Sequence, residues 1–207
     1  MPALQFDLTK DQSAKPLQFA MSKNNKFHVE LYWDSKHDLD AHAVGLRQGH
    51  CQDGEMCLST YNPTLVQVDD PSKNNFAGSK AAFRNQVGSM VHQGDKRSGL
   101  TVNGQVPDEV LTIEMSKLPS DVDEVGFFVT AHPPLCIKFK DVNDAKIVIK
   151  DDAGEVLLTA NLTHDFDQYD MVQMGSIVKN AATGAWDFKP VAVGINGTFQ
   201  DILNLLA

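Results

Sequence analysis

The stretch "YWDSKHDLDAHAVGL" places three aspartates, Asp34, Asp38 and Asp40, within seven residues. Carboxylates this close repel one another, and hard oxygen donors gathered in a loop suit Ca²⁺, which takes six to eight oxygen ligands. The spacing is not that of an EF-hand. That loop needs ligands at positions 1, 3 and 5, Gly at 6 and Glu at 12, whereas Ser35 to His37 interrupt the run here. A calcium site built on these residues must therefore borrow ligands from another loop. Residues 91–115, "VHQGDKRSGLTVNGQVPDEVLTIEM", offer Gly94 and Asp95, then Gly99 and Gly104, then Asp108 and Glu109 at the start of an apolar-alternating run. Glycines let backbone carbonyls approach a cation without an intervening Cβ. Spacing alone is a weak argument, because acidic loop residues are more often simply solvated.

The segments that must position these loops read as strands. Phe27, Val29 and Leu31 alternate before the first loop, and Leu39, Ala41 and Ala43 alternate after it. "EVLTIEM" and "EVGFFVTAH" are rich in β-branched and aromatic residues. "DAKIVIKD" and "EVLLTANL" bracket a hairpin signal at "DAGE", and "DMVQMGSIVK" and "AWDFKPVAVG" bracket another at "NAATG". Short strands at regular spacing predict an all-β chain, a β-sandwich of two mainly antiparallel sheets. A short C-terminal helix is expected from Phe199, Ile202, Leu203 and Leu206 at helical spacing, with Thr198 as N-cap. Residues 63–90 are polar and weakly periodic, and are expected to form a long loop or insertion, with room for a short helix, in a single domain spanning 1–207. "AHAVGL" and "EMCLSTY" flank an Asp-Gly signal and are expected to form a hairpin. A two-residue turn at Asp53 and Gly54 would pair Cys51 with Met56, a three-residue turn would pair it with Cys57, and the sequence leaves both open.

Composition narrows the function. The 207 residues carry 27 acidic and 18 basic side chains, a net charge of −9. That argues against a nucleic-acid surface, which needs a basic patch. No run approaches the ~20 apolar residues of a membrane span. The N-terminal "MPALQFDLTKDQ" has no charged region followed by an apolar core, so no secretory signal is expected. Three cysteines do not make a disulfide framework, which is consistent with a reducing, cytoplasmic setting.

Two rival chemistries are disfavoured. His37, His42, His50, Cys51 and Cys57 crowd one region, but without zinc spacing, and His37 and His42 fall on opposite faces of a strand. His42 is expected to pack and His37 to be solvated. No nucleophile elbow, H-E-x-x-H or Walker A pattern supports a hydrolase, and the chain is not expected to be an enzyme. His132, before Pro133 and Pro134, is expected to line the mouth of the sandwich.

These blocks also carry a resemblance. "VELYWDSKHDLDAHAVGL" resembles the "GLGWD…DLDASAFLL" element of the tellurium-resistance TerD-like stress-protein family, and "HQGDKRSG" resembles its "HTGDNLTG". "DEVLTIEMSKLPSDVDEVGFFVTAH", "KFKDVNDAKIVIKDDAGEVLLTANL" and "GAWDFKPVAVGINGTF" resemble later blocks of that family in the same order, so the likeness covers most of residues 27–199. The resemblance implies a β-sandwich that binds Ca²⁺ in loops at one end and serves in stress response. By position it assigns Asp34, Asp38 and Asp40 to the first acidic loop and Gly94, Asp95, Asp108 and Glu109 to the second. It implies a binding or scaffold role among other proteins of a stress-response complex, compatible with peripheral membrane association, and leaves the oligomeric state open. The chain departs from the family where an acidic, glycine-rich run normally precedes the Asp-Asp-Glu. Thr101, Asn103, Gln105 and Val106 stand there, and Pro107 replaces an acidic position. One calcium position is thus expected to be weakened or lost, with amide oxygens of Asn103 and Gln105 as substitutes. The alternative is a metal-free β-sandwich interaction protein that has lost one or both calcium sites.

Overall fold

A computed structural model of the protein describes residues 26–51, 54–62, 64–68, 82–100, 106–132 and 137–207. Within them the chain forms two antiparallel sheets stacked as a sandwich. The larger sheet is built on β1 (Lys26–Tyr32), flanked by β9 (Glu109–Glu114) and by β11 (Lys146–Asp151), which carries β12 (Val156–Asn161) on its far side. Beyond β9 lie β7 (Met90–His92), β6 (Phe83–Arg84) and β5 (Val66–Gln67), making seven strands. The smaller sheet runs β14 (Trp186–Ile195), β13 (Met171–Lys179), β10 (Glu124–Ala131), β3 (Leu39–Leu46) and β4 (Cys57–Leu58). A two-residue ribbon pairs β2 (Asp34–Ser35) with β8 (Gly99–Leu100) at one end.

Alternation sets which side chains enter the core. Phe27, Val29 and Leu31 of β1 meet Leu111 and Ile113 of β9, Ile147 and Ile149 of β11, and Val125, Phe127 and Val129 of β10 in one buried cluster. Each such side chain, fully removed from water, is worth about 1.5–3 kcal/mol. Unlike an ordinary half-solvated strand, β3 is buried at every position. Its inner residues Ala41 and Ala43 join the main core, while Val44 and Leu46 join a second cluster under the C-terminal helix α2 (Phe199–Leu206), the longer of two α-helices among the described residues, the other being the single turn α1 (Leu162–Asp165) that follows β12. That helix lays Phe199 and Ile202 onto Phe128 and Met171, on the outer side of the smaller sheet. Its first turn is fixed by a capping box: the Thr198 hydroxyl accepts from Asp201 N–H, and the Asp201 carboxylate accepts from Thr198 N–H at 2.7 Å.

Several expectations are refined. A tight turn follows β3 at Gln48 and Gly49, and Asp53 of the expected turn lies outside the described residues. Arg47 bridges His50 across Gln48 and Gly49, whose φ values of +54° and +83° are those a two-residue hairpin turn of the primed type demands. Gly54 opens a short 3-10 turn through Met56, and β4 pairs Cys57 with Val44. Burial, then the neighbouring Cys51, pushes the Cys57 thiol up to about 12. Of the segment expected to be a long loop or insertion, residues 66–67, 83–84 and 90–92 are strands that extend the larger sheet. Residues 69–81 lie outside the described residues. At the other rim, the β13–β14 register shifts between Gln173 and Gly175: Pro190 of β14 lies opposite Gly175, β14 bulges with Val191 and Ala192 set against Met174 alone, and Ala192 adopts a positive φ of +54°. Among the described residues no helix is long and apolar enough to cross a membrane.

Candidate metal centre

The first acidic loop is anchored by Trp33, which is buried at the end of β1. Its backbone N–H donates to Asp108 Oδ2 at 3.1 Å, and its indole Nε1–H donates to the carbonyl of His37 at 2.8 Å, tying the turn to the start of β9. The β2–β8 ribbon lies directly on Trp33. A Cβ at Gly99 would sit 2.3 Å from the Trp33 carbonyl oxygen, so only glycine fits there. Gly94, at φ +131°, turns the chain out of β7 in a conformation that favours glycine, and its N–H donates to Nδ1 of His92.

These anchors bring two groups of ligating atoms together. Asp40, Asp95 and Glu109, all buried, each offer a carboxylate oxygen within 4.8 Å of one another. Asp38 and His132 form a second such group with the same Asp40. Asp40 is the shared member. Its Oδ1 accepts from the Thr60 hydroxyl at 2.9 Å and its Oδ2 from the Tyr61 phenol at 2.5 Å. Glu109 is almost wholly sealed from water, with 1% of its surface exposed. Its Oε2 accepts from Ala41 N–H at 2.8 Å and lies 3.4 Å from His92 Nε2, while its Oε1 has no hydrogen-bond partner among the described residues. Burial raises the Glu109 carboxyl well above the ordinary carboxylate range, and the negative charges of Asp40, Asp95 and Asp38 push the same way against the Ala41 bond. Burial, then the charge of Asp40, likewise raises the Tyr61 phenol.

Two of the expected ligands are placed elsewhere. Asp34 is exposed, paired across the ribbon with Leu100, and is in neither group. Asp108 is buried but engaged: Oδ2 holds Trp33 and Oδ1 forms an ion pair with Lys96 at 2.9 Å. Asp38, Asp40, Asp95 and Glu109 converge, and Gly94 stands beside them as the hinge for Asp95. Asn103 and Gln105 lie outside the described residues. His37 is half-buried at the loop, and His42 is fully buried and stacked on Phe199 at 4.1 Å.

Sequence reasoning did not assign Thr60, Tyr61, His92 or Lys96 to the site, and placed His132 at the mouth without a role. The signal for Tyr61 and His132 lies in strand register. Ala43 pairs with Leu58, and continuing that antiparallel register brings Tyr61 opposite Asp40. Thr130 pairs with Asp40, which brings His132 opposite Asp38, where its N–H donates to the Asp38 carbonyl at 2.9 Å. On the other side of Tyr61 a cavity of about 300 Å³ opens between the 57–62 segment and α2, with Cys57, Ser59, Phe199 and Leu203 in its wall. Among the described residues the wall carries no charged side chain, and the carboxylates of both groups lie outside it.

Comparison with known proteins agrees with this architecture. A sequence profile of the TerD domain matches residues 4–205. The chain is similar to the tellurium resistance protein TerD of Alcaligenes sp., at 33% identity over 84% of this chain and 83% of that protein. It is also similar to general stress protein 16U of Bacillus subtilis (strain 168), at 27% identity over 56% of this chain and 61% of that one. A solved structure described as a homologue of telluride resistance protein (TerD), from Streptomyces coelicolor A3(2), superimposes with a TM-score of 0.62 over 87% of this chain and 95% of its own, at 18% identity.

Proposed function

The chain belongs to the TerD domain family, and from that premise we propose that it is a calcium-binding stress-response protein of the tellurium-resistance type, acting as a binding or scaffold module and not as an enzyme. The observation that carries the calcium reading is Glu109. A buried carboxyl with one oxygen lacking any hydrogen bond, set beside Asp40 and Asp95, is costly on its own, because an unsatisfied buried acceptor forfeits its hydration. A divalent cation would supply the missing partner and offset the repulsion among the three carboxylates. Calcium suits the donor set: all three side chains present hard oxygens, and Ca²⁺ accepts irregular shells completed by backbone carbonyls and water. Asp40, Asp95 and Glu109 would hold the ion, with Asp38 at its edge. By joining β3, β9 and the segment after β7, the ion would stiffen one end of the sandwich as a surface for partner proteins, in the cytoplasm.

The metal-free reading has two observations in its favour. Lys96 already neutralises Asp108, and the raised proton affinity of Glu109 lets a proton stand in for part of a cation's charge. Calorimetric titration of chelator-treated protein separates the two. Calcium binding gives a saturable heat that Glu109→Gln and Asp40→Asn remove. No heat with the unaltered protein leaves the metal-free interaction module.

A further inference from the structure

The second group differs from the first in one atom type: it contains a ring nitrogen. Nδ1 of His132 lies 3.5 Å from Asp40 Oδ2 and 3.7 Å from Asp38 Oδ2, and 3.0 Å from the Tyr61 hydroxyl oxygen. Two ligands bound at about 2.0–2.1 Å in a tetrahedral shell sit roughly 3.3 Å apart. These atoms are therefore spaced as a small divalent ion would hold them. We propose that Asp38, Asp40 and His132 form a second cation position, one selective for a divalent transition ion of the zinc class over calcium, with Asp40 bridging it to the all-oxygen group.

The chemistry of the donors sets the selectivity. Calcium takes oxygen ligands, whereas imidazole is a preferred ligand of zinc and the later first-row ions. The position is also reachable. The His132 side chain is 31% exposed and that of Asp38 13%, against 3% for Asp40, so the group opens toward solvent at the mouth of the sandwich and leaves room for water in the remaining coordination positions. The backbone pre-forms the pair, since His132 N–H donates to the Asp38 carbonyl across the end of the β3–β10 ladder. Tyr61 is a positioning residue. Its hydroxyl donates to Asp40 Oδ2, fixing that carboxylate, and its ring stacks beside that of His132 with centroids 6.1 Å apart. Binding requires only that the imidazole carry its proton on Nε2, freeing the Nδ1 lone pair for the ion; the phenol keeps its proton. The rival account is that His132 merely pairs with the two carboxylates as a cation.

The test is a Co²⁺ titration of the chelator-treated full chain in saturating calcium, followed by Zn²⁺ competition. Co²⁺ reports nitrogen ligation through its visible absorption and through paramagnetic shifts of the ring protons. The expected result is about one Co²⁺ per chain, displaced by Zn²⁺, with His132 ring protons strongly shifted. His132→Gln should weaken Co²⁺ binding by at least about tenfold, since even outer-shell partners of a metal are worth that much, and leave the calcium heat unchanged. Glu109→Gln should do the reverse. Should His132→Gln melt early, the ring-proton shifts in the unaltered protein decide. Absence of Co²⁺ binding, Co²⁺ absorption unaltered by His132→Gln, or equal loss of calcium and Co²⁺ in that variant overturns the proposal. If calcium gives no heat while the Co²⁺ signal still depends on His132, the calcium reading fails and this position stands.

Discussion

Glu109 and His42 are both buried, and they answer pH with opposite signs. Burial, helped by Asp40, raises the proton affinity of Glu109 in the folded state. Its stabilising contribution is complete below the ordinary carboxyl range and is lost as pH rises through the raised value. His42 is lowered by burial from 6.5 to about 4, so the unfolded chain takes up its proton first. Its contribution is complete above 6.5 and is lost as pH falls toward 4, a difference of roughly 3 kcal/mol. Chelator-treated protein should therefore show a partly cancelled pH dependence of its unfolding midpoint. Glu109→Gln should expose the acid-side loss due to His42, and His42→Leu should expose the alkaline-side loss due to Glu109. If calcium binds as proposed, the Glu109 contribution should change sign in saturating calcium, because the ion would compete with the proton for the same carboxylate, and acid should shrink the calcium-induced shift. A flat profile in all three proteins would refute the assignment.

The helix α2 was legible because three signals agree in ten residues: a hydroxyl N-cap, an acidic third position, and apolar residues at helical spacing. Phe199 stacks on His42 and meets Phe128 edge-on at 6.4 Å. Phe199→Ala should cost about 3 kcal/mol and Thr198→Ala about 1 kcal/mol, both read from denaturant midpoints, with the β-sheet circular dichroism of the folded state unchanged. Among the long strands, β1 was legible from alternation and β10 from its β-branched and aromatic residues. The strands at residues 66–67, 83–84 and 90–92 were not, since two or three residues hold less than two periods of any pattern. Asp38, Asp40, Asp95 and Glu109 were legible as types and spacing. Asp34 and Asp108 look identical to them in sequence, but a ribbon faces one to solvent and a lysine engages the other. Tyr61 and His132 join the site through strand register, which depends on which strands pair, and local sequence does not state that.

At the scale of the whole molecule, calcium bound only by the folded state stabilises it by about 2.7 kcal/mol at one hundred times its Kd. For a chain of this size that is roughly 5–10 °C in melting temperature. Millimolar calcium should produce this shift in scanning calorimetry of chelator-treated protein. Mg²⁺ should produce much less, because it demands a tight octahedron and sheds water reluctantly. Asp40→Asn, which keeps an acceptor for Thr60, should abolish the calcium increment; an undiminished shift would place the ion elsewhere. The rim formed by β14 matters when many copies share one volume. This ten-residue strand ends its sheet, yet Pro190 has no N–H to offer, and its own bulge at Val191 and Ala192 breaks the ladder, with Ala192 bent away from extended geometry. An open, regular edge of that length templates intermolecular strand addition, and proline and bulges are the features that blunt it. Pro190→Thr should restore a backbone N–H on β14 and raise the apparent mass from light scattering with protein concentration more steeply than in the unaltered chain. At high concentration such a chain is protected from fibril growth by the irregularity of its own outermost strand.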